Sequence, residues 1–301
     1  MFELKNPRKA IPIVLIAGLL WSFGPLVVRY MNDPQLVPWQ YIFGRGLTIF
    51  IILNLYLYFE EGISFYKNYK KIGLSGVIGG SGLGIAMITF IYSITNTSAA
   101  ITLLCLAAMP FFTALLAFLF LKEKISLNVW ISIVIATFGI LIMAIGSGKE
   151  NTLIGFIFGI TSSIGFSVFS VTLRWRKETP KFTTVAFSGF FCFIFSAIVI
   201  LSNDLTFLSS SYNGALFSLH GTLVCLGLIL YSIGSKAIPA AELTLLSLTE
   251  VIGGIFWVWI PILGINEVPS TNTIIGGFFL FVSIVYYSLI TRWNKRYIAL
   301  N

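Results

Sequence analysis

Charge is what this chain is short of. Asp, Glu, Lys and Arg together make up 10% of its 301 residues, and there is a single histidine, His220. So few charges cannot clothe a water-soluble globule, which excludes the soluble classes at the outset. One histidine also excludes any multi-histidine metal site. The three cysteines, Cys105, Cys192 and Cys225, lie in apolar runs with neither metal nor redox spacing, and read as small core hydrophobes without a disulfide framework. No Gly-rich phosphate loop ending in Lys-Ser/Thr, no His-Glu-x-x-His and no Gly-x-Ser-x-Gly turn occurs. These absences point away from an enzyme, a bound metal, a cofactor or an ATPase module. The formal net charge of +8 could signal nucleic acid. Here the basic residues sit in short connections between apolar runs, so membrane topology accounts for them and no nucleic-acid partner is expected.

What fills the chain instead is 57% apolar and 16% aromatic side chains, with a mean hydropathy of +0.94. The apolar runs last about 20 residues, the length a helix needs to cross hydrocarbon. The expected fold is all-α and integral to the lipid bilayer, with ten transmembrane helices at 11–29, 38–59, 72–94, 97–121, 128–147, 152–173, 182–201, 212–233, 239–264 and 272–290. The run 11–28 is too long for a signal peptide and lacks a cleavage site, so it reads as a retained first helix. With both termini cytoplasmic, 16 of the 19 basic residues fall inside, only Arg29 and Lys149 fall outside, and Arg45 stays within a span. Trp39, Trp130, Trp175 and Trp293 then land at span ends, where amphipathic rings prefer to sit.

The two halves resemble each other. Gly18-Leu-Leu-Trp-Ser-Phe-Gly24 matches Gly159-Ile-Thr-Ser-Ser-Ile-Gly165, and Ala99-Ala100 matches Ala240-Ala241, both at a shift of 141 residues. Five spans per half is an odd number, so the second half is expected to lie inverted relative to the first, with the boundary near Gly148–Thr152. The repeats are then 1–150 and 151–301. Inverted repeats accompany alternating access, with the substrate near the midplane between them. Gly76, Gly80 and Gly84 share one face of the third span and Gly155 and Gly159 one face of the sixth, a pattern that suits close helix packing within the chain. Pro25, Pro110 and Pro261 are expected to kink their spans.

Glu250 is the residue around which the functional reading turns. It lies roughly 16 Å along the ninth span, near the bilayer centre, where a carboxylate is expensive and usually faces a partner or a wet cavity. Ser247, Gly253, Gly254 and Trp257 share its helical face. A protonated, structurally bonded glutamate is the alternative. Arg45, about 10 Å inside the second span, cannot discharge and needs a carboxylate, carbonyls or a bound anion, with an internal ion pair to Glu250 and capture of a substrate carboxylate as the alternatives. His220 is a candidate proton carrier or a hydrogen-bonded core residue. Trp21 and Trp257 are the aromatic candidates, chosen over Phe23, Tyr41, Phe90, Tyr92 and Tyr231. The candidate set for substrate binding or coupling is therefore Glu250, Arg45, His220, Trp21, Ser247 and Trp257.

These residues carry a family resemblance. Trp21-Ser-Phe-Gly24 with Arg29, Trp39-Gln-Tyr-Ile-Phe-Gly-Arg45, and Ala99 to Glu123 with Met109-Pro110 resemble the first half of EamA-type proteins of the drug/metabolite transporter superfamily. Ile238-Pro-Ala-Ala-Glu242, Glu250, Trp257-Val-Trp259, Glu267-Val-Pro-Ser270 and Ile275-Gly-Gly277 resemble the second. The resemblance implies a permease of the bacterial inner membrane, often an exporter, for an amino acid or related small-molecule solute. Since the sequence carries no ATPase module, transport would be driven by a gradient, either of the solute itself or of a coupled ion, protons being the candidate. A translocator of nucleotide-linked or lipid-linked sugars, which shares the architecture, is the alternative, followed by a non-transporting sensor or enzyme. Two departures stand out. Glu250-Val251 replaces a common Glu-Pro, so the helix break at Pro110 is expected in the first half alone, and the step from Glu250 to Glu267 is about three residues longer than usual.

Overall fold

The computed structural model describes residues 6–145, 153–176 and 178–298. The boundary at Gly148–Thr152, the charges Lys5, Lys149 and Lys177, and the side chains of Arg292, Trp293, Lys295 and Arg296 lie outside the described residues.

Helices account for the architecture. In chain order they are α1 (Pro7–Trp21), α2 (Gly24–Tyr30), α3 (Pro38–Glu61), α4 (Lys67–Lys71), α5 (Gly73–Asn96), α6 (Ala99–Leu106) and α7 (Met109–Leu116). There follow α8 (Leu127–Ile145), α9 (Leu153–Trp175), α10 (Lys181–Ser202), α11 (Ser211–Gly234), α12 (Ala240–Ser247), α13 (Thr249–Trp259) and α14 (Thr271–Ile298). Eight stretches among the described residues are long and apolar enough to cross a membrane: Pro7–Tyr30, Pro38–Lys71, Gly73–Asn96, Ala99–Leu121, Leu153–Trp175, Lys181–Ser202, Ser211–Gly234 and Ala240–Trp259. Two shorter apolar helices, Leu127–Ile142 and Ile274–Ile290, occupy the expected fifth and tenth positions. Large apolar side chains such as Phe59, Phe118, Phe120 and Phe278 point outward, as a hydrocarbon solvent permits.

Three of the spans are discontinuous. In the first, α1 ends at Trp21 and α2 restarts at Gly24-Pro25; in the fourth, α6 ends at Leu106 and α7 restarts at Met109-Pro110. Proline suits the first turn of a helix, where its missing N–H would lack a partner anyway, so each break falls just ahead of the proline. The ninth span breaks too, at Leu248, although position 251 is valine. This corrects the expectation that the break belongs to the first half alone. Hydroxyls take over: Ser247 Oγ donates to the Thr244 carbonyl at 2.8 Å, and Thr249 Oγ1 lies within reach of the carbonyls of Leu246 at 3.2 Å and of Leu15 in α1 at 3.3 Å. Such back-bonding competes with the helix ladder and bends it. Pro261, expected inside the ninth span, instead opens a short 3-10 turn, Pro261–Leu263, after α13 has ended.

The helices interlock in a defined pattern. α5 packs on α9 and α10, α3 on α10 and α11, α1 on α11, and α8 on α14, while α6 and α7 meet α13 and α12. Glycine permits the closest of these approaches. A β-carbon at Gly82 of α5 would stand 3.0 Å from the Gly165 carbonyl oxygen of α9, and one at Gly165 only 2.6 Å from that of Gly82. The Gly80 and Gly84 face meets Phe187 and Phe191 of α10, so α5 is pressed between two neighbours and the glycine stripe serves packing within the chain.

Candidate functional site

The breaks converge on a central cavity lined by residues of the first, second, third, fourth, sixth, eighth and ninth spans. Four of the six residues singled out from sequence line it: Trp21, Arg45, His220 and Glu250.

Glu250 is the second residue of α13, is buried and lines the cavity. The break places it in a first helical turn, where peptide N–H groups favour negative charge. Met109, the first residue of α7, lines the cavity in the corresponding place of the first half. Arg45 reaches in from mid-α3 and is 2% exposed. Its Nη2 donates to the Met87 carbonyl at 2.6 Å, and its guanidinium lies 5.9 Å from the Tyr41 ring centre and 6.0 Å from that of Phe90. Its Nε is buried without a hydrogen-bond partner. The ion pairs found among the described residues, Arg29–Glu267 and Arg174–Glu123, include neither Arg45 nor Glu250. The direct Arg45–Glu250 pair entertained from sequence therefore does not form in this structure.

His220 Nδ1 is hydrogen-bonded to the Tyr41 hydroxyl, which fixes the ring, and its Nε2 lies against Gly24, where a β-carbon would approach to 2.8 Å. Trp21 donates from Nε1 to the Val224 carbonyl at 3.2 Å and packs against Phe166 and Tyr231, each with ring centres 5.4 Å away. Gly227 makes room for that indole.

Ser247 and Trp257 stand apart from the cavity. Ser247 is fully buried and spends its hydroxyl on the break. Trp257 donates to Ser22 Oγ at 2.8 Å and stacks on Phe23 at 4.7 Å, so it braces the α1–α2 break. The stripe it shares with Glu250 and Gly253 divides at this point, since Gly253 also abuts Ser22.

Sequence reasoning missed Ser162 and Phe166 of α9 and passed over Phe90 of α5, all of which line the cavity. A signal for Ser162 was present, since the repeated motif aligns it with Trp21. The lining repeats in the same register: Trp21 and Ser162, Leu83 and Val224, Met87 and Leu228, and Met109 and Glu250 are each 141 residues apart.

Residues 8–145 match the EamA-like transporter family. That stretch, just under half of the chain, is thus similar to EamA-type transporters. A Helicobacter pylori protein named as an uncharacterized transporter is 30% identical over 171 residues, covering 56% of each chain. A second from another strain of that species is 28% identical over 203 residues, covering 66% of each. Protein LicB of Haemophilus influenzae is 28% identical over 165 residues, 53% of this chain and 54% of its own. The chain thus spans between about half and two-thirds of the length of these relatives. A solved crystal structure superimposes with a TM-score of 0.71 at 18% identity, covering 95% of this chain and 99% of that one, which shows the shared fold.

Proposed function

We propose that this protein is an EamA-type, gradient-driven transporter of a small organic solute, such as an amino acid or a related metabolite, working by alternating access between inverted halves, 1–150 and 151–301. The observation that carries the reading is the central cavity, which holds a buried arginine and a buried glutamate with no ion pair between them. A charge in that position is stabilised most readily by a ligand that carries the complementary group. Arg45 is assigned to an anionic group of the solute, Glu250 to a cationic group or a coupling proton, and Trp21 with Phe90 and Phe166 to its apolar body.

The halves support the mechanism through their packing. The contact between α5 and α9 has its counterpart in α11 and α1, that between α10 and α5 in α3 and α11, and the α3–α10 and α8–α14 pairs are their own counterparts. Such reciprocity is what exchange of two related halves about an axis through the cavity requires. A sugar-nucleotide translocator would present several cations to a diphosphate, whereas among the described residues Arg45 is the one arginine or lysine lining this cavity. The test is solute flux in liposomes after a thermal-shift screen of amino acids, organic acids, amines and nucleotide sugars. Glu250→Gln should lower flux of the stabilising solute at least roughly tenfold, about 1.4 kcal/mol, while insertion and folding persist. Unchanged flux across pH would remove Glu250 from the mechanism.

A further inference from the structure

Two arginines hold the two ends of the molecule with matching sets of partners. At one end Arg29, in the last turn of α2, donates from Nε to Glu267 Oε2 at 3.0 Å, from Nη1 to the Ile94 carbonyl at 3.2 Å and from Nη2 to the Thr97 carbonyl at 3.4 Å. At the other, Arg174, in the last turn of α9, donates from Nε to Glu123 Oε1 at 2.7 Å and from Nη1 to the carbonyls of Ser235 and Ile238, both at 3.0 Å. Residues 94 and 97 become 235 and 238 when the repeat shift of 141 is added. Glu123 follows α7 and Glu267 follows α13, the corresponding connections. The two sites are far apart. Phe158, near the start of α9, meets Tyr92 at the Arg29 end, and Arg174 lies 16 residues further along that helix, about 24 Å away.

The arginines do not correspond by number. Position 29 maps to 170, four residues or about one helical turn from Arg174, and Glu123 maps to 264, three residues before Glu267. The same contacts are thus reached from a different register in each half, which simple inheritance of a duplicated sequence does not explain. The division of partners is also the same. Each arginine takes its carbonyls from its own half and its carboxylate from the other. Separating the halves at one end therefore breaks only the carboxylate contact and leaves the guanidinium aimed by its carbonyls, ready to close again. All four side chains are between 22% and 30% exposed. Ion pairs that wet are weak enough to break and re-form during a cycle.

We propose that Arg29–Glu267 and Arg174–Glu123 are the two gate latches of this transporter, each closing one mouth of the cavity and opening in alternation with the other. The proposal rests on the alternating-access reading above. Both latches are engaged here, and Trp21, Arg45, His220 and Glu250 line the cavity. Ala99 N–H adds a bond to Glu267 Oε1 at 3.2 Å, which ties the first latch to the start of the broken fourth span.

The experiment places one reactive cysteine in the cavity, Val224→Cys, in full-length protein whose Cys105, Cys192 and Cys225 have been replaced by alanine. The protein is reconstituted in liposomes and modified by a membrane-impermeant thiol reagent from each face separately. Glu267→Gln should raise the rate from the Arg29 face roughly tenfold and lower it from the other, and Glu123→Gln should do the reverse. Should either glutamine variant fail to fold, Arg29→Lys and Arg174→Lys keep the charge but lose the planar fork, and the same opposite shifts are expected. Shifts in the same direction, or none, in a parent that labels from both faces would overturn the latches alone. A parent that transports yet labels from one face under every condition would overturn alternating access itself.

Discussion

Arg45 has a permanent charge, one carbonyl, two aromatic faces and a buried Nε with nothing to bond. A buried cation held so sparingly stabilises the fold poorly, because its desolvation exceeds what these contacts return. Arg45→Met is therefore expected to leave thermal stability unchanged or raise it, by up to about 1–4 kcal/mol, while flux is lost. A fall in melting temperature with flux intact would mean that the arginine serves the fold. Arg45→Lys keeps the charge but not the flat guanidinium between Tyr41 and Phe90, and should lower flux roughly tenfold or more at unchanged expression. The depth of Arg45 and Glu250 was legible in sequence because any charge inside an apolar run is conspicuous. Which neighbours shared their cavity was not. Trp257 and Ser247 lie on the Glu250 face by helical spacing, but the break at Leu248 and the packing of Trp257 on Phe23 take them elsewhere.

Among the elements, the positions of the eight apolar helices long enough to cross a membrane and of two shorter ones were legible, since hydrocarbon thickness sets the length of such runs. The interruption of the ninth was not, because a break made by serine and threonine hydroxyls lacks the signature that proline gives the fourth. Thr249→Val removes the hydroxyl near Leu15 and Leu246 without changing shape. It is expected to destabilise the protein by about 1 kcal/mol and to weaken solute binding by moving the α13 terminus, as thermal melting with and without solute would report. The tight α5–α9 seam supplies a contrast. Gly82→Leu drives a side chain into the Gly165 carbonyl and Val168, and should cost about 1–3 kcal/mol of stability or more. The same change at Gly277, which has open space around it, should be tolerated. Equal melting temperatures for the two variants would contradict the packing described for α5.

On the scale of the whole molecule, the charge distribution orients the chain. Lys236, after α11, is expected on the cytoplasmic face, and Asp204, in the exposed connection between α10 and α11, on the opposite one. Cysteines placed at these positions should label from opposite sides of intact cells, and exposure of position 236 outside would invert the assignment. The lining pairs spaced by 141 residues also have a stereochemical consequence. The apolar lining repeats between the halves, but Glu250 answers to Met109, Arg45 to Ala186 and His220 to Gly79. Three unlike groups on α13, α3 and α11 thus surround one small volume, and a solute touching all three meets a chiral surface. Mirror-image forms of such a solute should bind with unequal affinity, so that one enantiomer raises the melting temperature at concentrations where the other does not.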